Sequence, residues 1–389
     1  MDILATVVPN LPKVLPEPDR VLSAASTIST SVIAPTIRSK IFPDSASAST
    51  MKLLQELSKL PNNQKTWKKD VGDAFNDSRF FGMDHDLVQN SWLPLLKQWI
   101  FADKEKMPEI VSRITAPTTA GIVFGVGATS ARLEADRRTQ LNLRRIATLV
   151  LASGEDAFMS DLPVIVGKLV ELLAASSTSS PSSTTRADIY MVVRALVLRT
   201  SPLHLSVLWP IVNAEIHAAI SSVVAPDNST ASDTYTNTAV FQACKLLDLL
   251  ICMAPDDFQL HEWLFITDNI DAVYRSSTVQ PVALADEISE ELGSAASYNT
   301  NHDDAISNVL TGAGGGPRRR PLLGPGGISE EVSLERKDEL IAKVLRPFFG
   351  QLSIFAFESI YAMGPVDVEL CVQLLLKDVF DERTMVKSL

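Results

Sequence analysis

Residues 199–220 read RTSPLHLSVLWPIVNAEIHAAI, a long apolar segment that indicates the fold class. Between residues 200 and 226 the only formally charged side chain is Glu215, so the segment is apolar enough to be buried. It also contains two histidines, Pro210 and Asn213, which a lipid-facing span would not tolerate well. The pattern therefore predicts a pair of helices buried inside a protein.

An apolar residue, a proline and two apolar residues recur within helical periods elsewhere in the chain. The copies are Leu93-Pro94-Leu95-Leu96, Leu162-Pro163-Val164-Ile165, Trp209-Pro210-Ile211-Val212 and, more loosely, Leu345 with Pro347-Phe348-Phe349. HEAT-type repeats contain such prolines, where they bend the outer helix of a hairpin. The distance from Pro163 to Pro210 is at the upper end of the about 40–47 residues of a HEAT repeat, but the other distances do not match. We therefore predict an all-α fold, an irregular α-solenoid of HEAT-like helical hairpins, in preference to a compact helical domain.

Composition divides the chain into four parts. Residues 1–50 mix Pro, Ser and Thr without a helical period, and we predict that they are mostly disordered. A helical-repeat region covers residues 51–275, interrupted by a polar loop at 176–187. Residues 276–329 are predicted to form a disordered loop, because they are rich in Gly, Pro and Ser. C-terminal helices are expected over residues 330–389.

Charge and cysteine content narrow the class of protein. The formal net charge is -11, from 46 acidic and 35 basic residues, which argues against a nucleic-acid partner because a phosphate backbone attracts a basic surface. The three cysteines form no CxxC pair and are expected to be buried thiols in a reducing cytosol. The first residues lack the basic segment of a secretory signal. These features predict a soluble or peripheral protein.

Motifs for catalysis, metals and cofactors are weak. The GVGATS stretch at 125–130 lacks the third glycine of a phosphate-binding loop, and no strand is predicted before it. The five histidines never occur as HxxxH or HxH, so a zinc site is not expected. No GxSxG is present, and no nucleophile has a recognisable base. We predict a non-enzyme without catalytic residues, metal or cofactor, and keep an all-α enzyme as the weaker alternative.

Clusters of basic side chains are candidate contacts for anionic lipid. They are Arg137, Arg138, Arg144 and Arg145 on a long predicted helix, Lys65, Lys68 and Lys69 around Trp67, and Arg318, Arg319 and Arg320 in a glycine-rich loop. Each charge near an anionic membrane contributes about 1 kcal/mol, and we assign the possible lipid contact to the four helical arginines. The favoured alternative is a solvated helix face, in which Glu134 supports Arg138 at i,i+4.

The C-terminal segment contains a broken heptad pattern. The apolar residues that form the candidate partner-binding surface are Leu334, Ile341, Leu345, Phe348, Leu352 and Phe355. Pro347 interrupts the pattern, and polar residues occupy several partner positions, which weakens a coiled-coil interpretation and hence a homodimer. The inner face of a terminal helical hairpin explains the same pattern and is slightly favoured.

Three blocks of sequence resemble a known family. They are TWKKDVGDAFNDSRFFGMD at 66–84, RTSPLHLSVLWPIVNAEIHAAI at 199–220 and FQACKLLDLLICMAPDDFQLHEWLFI at 241–266. In this order and at these distances they look like the C-terminal region of the Dopey family. The SPLHLSVLWP segment is the most specific single element. The resemblance covers about residues 51–275, and more loosely the helices after residue 330.

The resemblance implies a function as well as a fold. Dopey proteins are large peripheral proteins on the cytoplasmic face of Golgi and endosome membranes and in the cytosol. They act in endosome-to-Golgi retrieval with a large HEAT-repeat scaffold related to Arf exchange factors, and with an aminophospholipid flippase. The family has no catalytic residues to transfer, and its members are far longer than this chain. A generic HEAT-like adaptor in another pathway is the alternative among binding proteins.

Overall fold

A computed structural model describes residues 1–101, 103, 105–114, 127–179, 183–224, 234–266, 283–293, 318–361 and 364–387. Within these ranges the chain is helical and contains no β-strand. Its only β-type pairings there are single bridges from Arg319 to Val366 and from Leu323 to Ile328. The fold is all-α and solenoid-like, which confirms the predicted fold class.

The main helices of the first half are listed here in chain order. They are α1 (Asp2–Val7), α2 (Pro18–Ile28), α3 (Ala48–Lys59), α4 (Gln64–Asn76), α5 (Leu93–Phe101), α6 (Lys106–Ser112) and α7 (Gly127–Ala152). Those of the second half are α8 (Leu162–Ser179), α9 (Ser183–Arg199), α10 (Trp209–Ser221), α11 (Asn237–Met253), α12 (Leu284–Leu292), α13 (Arg346–Tyr361) and α14 (Val368–Val379).

Shorter helical segments extend or connect these helices. Single α-turns lie at Leu11–Val14, Ala34–Ile37, His85–Leu87, Asp256–Gln259 and Lys337–Leu340. Turns of 3-10 helix lie at Val8–Asn10, Ser78–Gly82, Pro202–His204, Ser206–Leu208, Glu262–Leu264 and Glu382–Thr384. Wider π-turns lie at Ser29–Ile33, Val88–Trp92 and Ile341–Leu345.

The core is a row of three helices with α9 in the middle. Helix α9 packs against α7 on one side and α11 on the other, and α14 lies against both α7 and α9. Every residue is buried over 139–153, 185–198 and 239–252, one stretch from each helix of the row. A helix that is covered on all sides needs a mostly apolar surface, and the polar groups within it need partners. The row therefore carries both the hydrophobic core and a set of buried charges.

The predicted disorder of residues 1–50 is wrong, because the segment folds into helices that pack on α3 and α4. Its buried residues include Val8, Ala25, Ile33 and Phe42. Four of the six prolines in this segment occupy the first turn of a helical segment, at Pro9, Pro12, Pro18 and Pro35. A proline there removes an N–H that has no partner within the helix, so it does not disrupt the backbone.

The two predicted loops are shorter than expected. In the segment 176–187, α8 continues to Ser179 and α9 begins at Ser183, and Thr185 is buried. Residues 180–182 lie outside the described residues. In the segment 276–329, α12 is ordered and contributes Leu284 and Ile288 to the core.

Residues 318–329 in the same predicted loop also pack against the core, with Leu322 and Leu323 buried. The rest of that predicted loop lies outside the described residues. Sequence composition overestimated disorder here because the contacts that order these segments come from distant helices.

The repeated prolines lie at the beginnings of helical segments. They do not share the predicted bend in an outer helix. Pro163 and Pro210 are the second residues of α8 and α10. Pro94 and Pro347 are the second residues of α5 and α13, and each follows a π-turn in a continuous helical run. Pro35 follows the π-turn Ser29–Ile33 in the same way. A π-turn adds one residue to the helix, which accommodates the proline that cannot donate to the preceding turn.

One helical run in the described part of the chain, Lys337–Ser359, is long and apolar enough to cross a membrane. Its mean hydropathy is 1.4, and 50% of its apolar stretch is buried inside the fold. Buried core helices of soluble proteins meet the same criteria of length and composition. The three cysteines are all buried as free thiols, as predicted.

Candidate interaction surface

Arg144 is a structural residue in the interior of the fold. Its Nε lies 2.7 Å from Asp188 Oδ1, and the side chain of Arg144 is fully buried. Its Nη1 donates to the carbonyl oxygens of Val379 and Asp381 at 2.8 and 2.9 Å, and its Nη2 donates to Thr384 Oγ1 at 2.6 Å. A guanidinium with these partners anchors the C-terminal segment to α7 and α9, and it cannot reach a membrane in this fold.

The other three arginines of the predicted lipid surface face different environments. Arg145 is buried and donates to the carbonyl oxygens of Phe75 and Asn76 at 3.0 and 2.8 Å. Burial lowers the pKa of Arg145 to about 10, so it remains protonated at neutral pH. Arg137 donates to the carbonyl of Val386. The expectation that four arginines share one lipid-facing surface is therefore corrected.

Arg138 alone among these four is largely exposed, with 73% of its side chain accessible. Its Nε lies 3.1 Å from Glu134 Oε1, which is the predicted i,i+4 contact. Such an exposed pair contributes little to stability. The four arginines are adjacent in sequence, but the helix turns two of them into the core, which the spacing alone did not reveal.

Asp378 joins the last helix to the inner row. Its carboxylate lies 2.6 Å from both Arg194 Nη1 and Lys245 Nζ, and Lys245 also lies 2.8 Å from Glu330. Burial alone would raise the pKa of Asp378, but Lys245 and Arg194 outweigh it and lower the pKa to about 2. The network therefore holds α14 against α9 and α11 with a permanently ionised carboxylate at neutral pH.

Asp248 on α11 fixes the segment after residue 318. Its two carboxylate oxygens accept from the backbone N–H groups of Leu322 and Leu323, at 2.9 and 2.7 Å. Burial raises the pKa of Asp248 to about 7, although both amides act in the opposite direction. Sequence analysis did not identify this aspartate, because its partners lie more than seventy residues away in a segment expected to be disordered.

The predicted partner-binding residues near the C-terminus are occupied within the chain. Leu345, Phe348, Leu352 and Phe355 are buried in the common core, while Leu334 and Ile341 are partly buried against it. The prediction of an open heptad surface is therefore corrected in favour of the alternative, the inner face of terminal helices. Apolar side chains that already contact the core are not available to a second chain.

Two adjacent loops instead present apolar side chains to solvent. Leu203 and Val207 lie in the 3-10 turns before α10 and are 84% and 69% exposed. Leu260 and Trp263 follow the turn Asp256–Gln259 and are 71% and 53% exposed. We call these four residues the apolar ridge. Large apolar groups that are exposed on neighbouring loops are typical of protein interaction sites.

Aromatic packing supports the apolar ridge from below. The ring centroids of Trp209 and Phe258 lie 6.0 Å apart, which brings the two loops together. Phe258 and Phe265 stack at the same distance, and all three rings are buried. The two loops belong to the second and third sequence blocks. The sequence therefore marked this part of the chain, but it did not reveal which side chains are exposed.

Among the described residues, no three His, Cys, Asp or Glu side chains are grouped so that they can hold a metal ion. Gly125 and Val126 of the GVGATS stretch lie outside the described residues, and Gly127 begins α7. His302 also lies outside them, whereas His85 contacts the carbonyl of Gln373 at 3.3 Å.

Comparison with known proteins identifies the family. Residues 1–362 match the family model described as DOP1 C-terminal. The chain is 47% identical over 385 residues to Protein dop1 of Emericella nidulans, which covers 99% of this chain and 20% of that protein. It is 25% identical over 338 residues to Protein DOP1 of Saccharomyces cerevisiae, covering 85% of this chain and 18% of that protein. No solved structure matches.

A vertebrate relative shows the same relationship at lower coverage. Protein DOP1B of Xenopus laevis is 28% identical over 243 residues, which cover 56% of this chain and 10% of that protein. The chain spans about one fifth or less of the length of these relatives. The extent of the family match, together with the near-complete alignment to the Emericella protein, shows that the chain belongs to the DOP1 family and matches its C-terminal region.

Proposed function

We propose that the chain is a non-catalytic scaffold segment that acts in vesicle-mediated transport, in retrieval from endosomes to the Golgi apparatus. Its partners in this proposal are a large HEAT-repeat protein related to Arf exchange factors and an aminophospholipid flippase. It works as a peripheral protein at the cytoplasmic face of Golgi and endosome membranes. Membership of the DOP1 family is the observation that carries the proposal.

The architecture supports a scaffold in preference to an enzyme. The buried charges described above are paired with backbone groups or with one another, and they fix the C-terminal segments to the inner helices. They are therefore used for assembly of the fold. The apolar ridge is supported by three buried aromatic rings in contact, and a surface that is already folded loses little entropy on binding.

We assign the contact with the HEAT-repeat partner to the apolar ridge. Trp263 and Leu260 are the large side chains on its second loop, and large exposed apolar or aromatic residues commonly contribute most of the energy of an interface. Asp256 is exposed in the turn that precedes them, so the partner surface is expected to be apolar with basic residues at its edge.

Affinity purification of the tagged chain from its own cells, followed by mass spectrometry, tests the proposal. We expect the HEAT-repeat protein and the flippase to co-purify with the wild-type chain. The double variant Leu260→Ala, Trp263→Ala should recover at least about tenfold less HEAT-repeat protein, because single interface anchors contribute about 1–2 kcal/mol or more.

The variant Phe101→Ala is the matched control, since Phe101 is 84% exposed but lies outside the apolar ridge. It should recover the partners as the wild type does. Equal recovery with the double variant would reject the apolar ridge as the contact. Recovery of neither partner by a folded wild-type chain would reject the proposal for this segment of the family.

A further inference from the structure

Ser201 lies where α9 ends and the first loop of the apolar ridge begins. It is followed by Pro202, a dipeptide that proline-directed protein kinases select as their acceptor sequence. The chain contains one other serine before a proline, Ser180, which lies outside the described residues, and no threonine before a proline. Ser201 is therefore the candidate acceptor of this kind in the described part of the chain.

The backbone of Ser201 has the conformation that this dipeptide favours. Its φ and ψ are -56° and 136°, which is extended, because the ring of Pro202 disfavours helical angles at the residue before it. Ser201 is partly exposed, and the next two residues, Pro202 and Leu203, are exposed. The acceptor and the proline that a kinase recognises are therefore both at the surface.

The hydroxyl of Ser201 is not used by the fold. Ser201 occupies the N-cap position of the turn Pro202–His204, but its side chain accepts no hydrogen bond from that turn. The backbone makes the contacts instead. The N–H of Ser201 donates to Asp156 Oδ1 at 2.8 Å, and its carbonyl oxygen accepts from the N–H of His204 at 3.0 Å. Removal of the hydroxyl should therefore leave the loop in place.

Asp156 attaches this loop to the connection between α7 and α8. Its carboxylate accepts from Ser201, and its own N–H donates to the carbonyl oxygen of Arg199 at 2.9 Å. Asp156 has a φ of 57°, a left-handed conformation that aspartate adopts more readily than most residues. These two hydrogen bonds fix the end of α9, and with it the start of the apolar ridge.

A phosphate on Ser201 acts against this attachment. It adds a charge of about -1.5 to -2 at pH 7. Because the Asp156 carboxylate bonds to the backbone N–H of the same residue, the new charge lies beside an existing one, and the two repel each other. Arg199 is the cation two residues earlier, and its buried Nε has no hydrogen-bond partner. The modified loop should therefore leave Asp156 and pair with Arg199.

The position of Ser201 makes the apolar ridge sensitive to this change. Leu203 lies two residues further on and Val207 lies in the following turn, and both belong to the ridge. A dianion at the edge of an apolar interface must lose water when the partner binds, which opposes binding. The basic residues expected at the edge of the partner lie opposite Asp256, on the other loop.

We propose that Ser201 is a phosphorylation site for a proline-directed kinase, and that its modification lowers the affinity of the apolar ridge for its partner. In the transfer, Ser201 Oγ forms a bond to the γ-phosphorus of ATP, and the bond from this phosphorus to the β,γ-bridging oxygen breaks. ADP leaves with that electron pair, and the hydroxyl proton passes to the catalytic aspartate of the kinase. The effect on the partner rests on the function proposed above, whereas the modification itself does not.

Treatment of the full chain with ATP and a kinase of the cyclin-dependent class, followed by mass spectrometry, tests the site. We expect a phosphoryl group on Ser201 of the wild type and none on Ser201 of the variant Pro202→Ala, which keeps the hydroxyl. Ser206→Ala is the matched control, because Ser206 is exposed in the same loop but is followed by valine. It should be phosphorylated at Ser201 like the wild type. An unmodified Ser201 in the wild type, or equal modification of Pro202→Ala, would overturn the proposal.

Hydrogen exchange measures the effect on the loop without any partner. Amides of residues 200–208 should exchange roughly tenfold faster in the phosphorylated chain, because the contact with Asp156 is lost. Ser201→Ala treated with the same kinase is the control, and its exchange should equal that of the untreated wild type. Unchanged exchange in the phosphorylated chain would overturn the predicted rearrangement.

Capture of the HEAT-repeat protein measures the effect on binding. The phosphorylated chain should recover at least about tenfold less of it than the untreated chain, whereas kinase-treated Ser201→Ala should recover as much as the untreated wild type. Equal recovery by the phosphorylated and untreated chains would overturn the regulatory effect. Recovery of no HEAT-repeat protein by the untreated wild type would reject the proposed function, and the mass and exchange measurements would then decide the modification separately.

Discussion

Asp378 is the residue on which the attachment of α14 depends most strongly. It is the common partner of Arg194 on α9 and Lys245 on α11, and both cations are nearly inaccessible to water. Isolated charges in such an environment are costly, whereas a hydrogen-bonded pair is tolerated. The apolar sequence of α14 predicts a buried helix, and the charge on Asp378 ties that helix to α9 and α11.

We expect Asp378→Asn to lower the free energy of unfolding by about 3–5 kcal/mol, because two buried cations lose their shared carboxylate. Urea unfolding measures the change. Asp338→Asn is the control, since Asp338 forms an exposed pair with Arg336 and its substitution should change stability far less. A change for Asp378→Asn as small as that of the control would contradict the role of this network.

The same substitution has a defined dependence on pH. The pKa of Asp378 is lowered to about 2 in the folded protein, from about 3.9 in an unfolded chain. A lowered folded pKa means that the stabilisation is complete above the unfolded value and is lost as the pH falls through the folded value. The difference between wild type and variant should therefore be constant above about pH 5 and shrink towards pH 2.

At the scale of single helices, the C-terminal heptad shows why periodicity does not identify a partner. A seven-residue apolar pattern fits a coiled coil between chains and a helix packed within one chain equally well. Here Phe348, Leu352 and Phe355 face the core that α11 and α12 complete. The apolar pattern was predicted from sequence. The helices that pack against it come from other parts of the chain, and local spacing does not identify them.

We expect Phe355→Ala to lower the free energy of unfolding by about 3–5 kcal/mol, because a fully buried ring leaves a cavity. Ile354→Ala, one residue away and 53% exposed, is the control and should cost less than about 1 kcal/mol. Chemical denaturation measures both values. Similar stability for both variants, with a lower oligomeric state for Phe355→Ala, would favour an interface between chains.

At the scale of the whole molecule, α9 connects the two halves of the array. It contacts α7, whose neighbours lead to the N-terminal helices, and α11, whose neighbours include α10 and α13. Residues 185–198 are buried without exception, including Arg186, Asp188 and Arg194. Opening of α9 therefore requires that the helices on both sides separate.

Hydrogen exchange should reflect this arrangement. We expect amides of α9 to exchange only through near-global unfolding, with opening free energies on the order of 3 kcal/mol above those of α12. Helix α12 is the internal comparison because it has one exposed side. Mass spectrometry of peptides from both helices measures the difference. Equal protection would show that the row of buried helices is not the most stable part of the molecule.

Local sequence patterns were sufficient to predict the helical class and the burial of the cysteines. Helical periodicity is local, and apolar spacing within about four residues is sufficient to specify a buried face. It also carried the family resemblance, in the blocks that include Trp209 and Phe258. Composition misled where Pro, Ser and Thr indicated disorder, since prolines in first turns are compatible with helices.

The roles of the individual side chains depend on the tertiary structure. It buried Arg144 and Arg145, paired Asp378 with cations from two helices, and exposed the apolar ridge. It also placed Arg38, Lys65 and Lys69 around one surface cleft. Each of these arrangements joins residues that are distant in sequence, and the free energy of a buried charge depends on partners that local spacing does not specify.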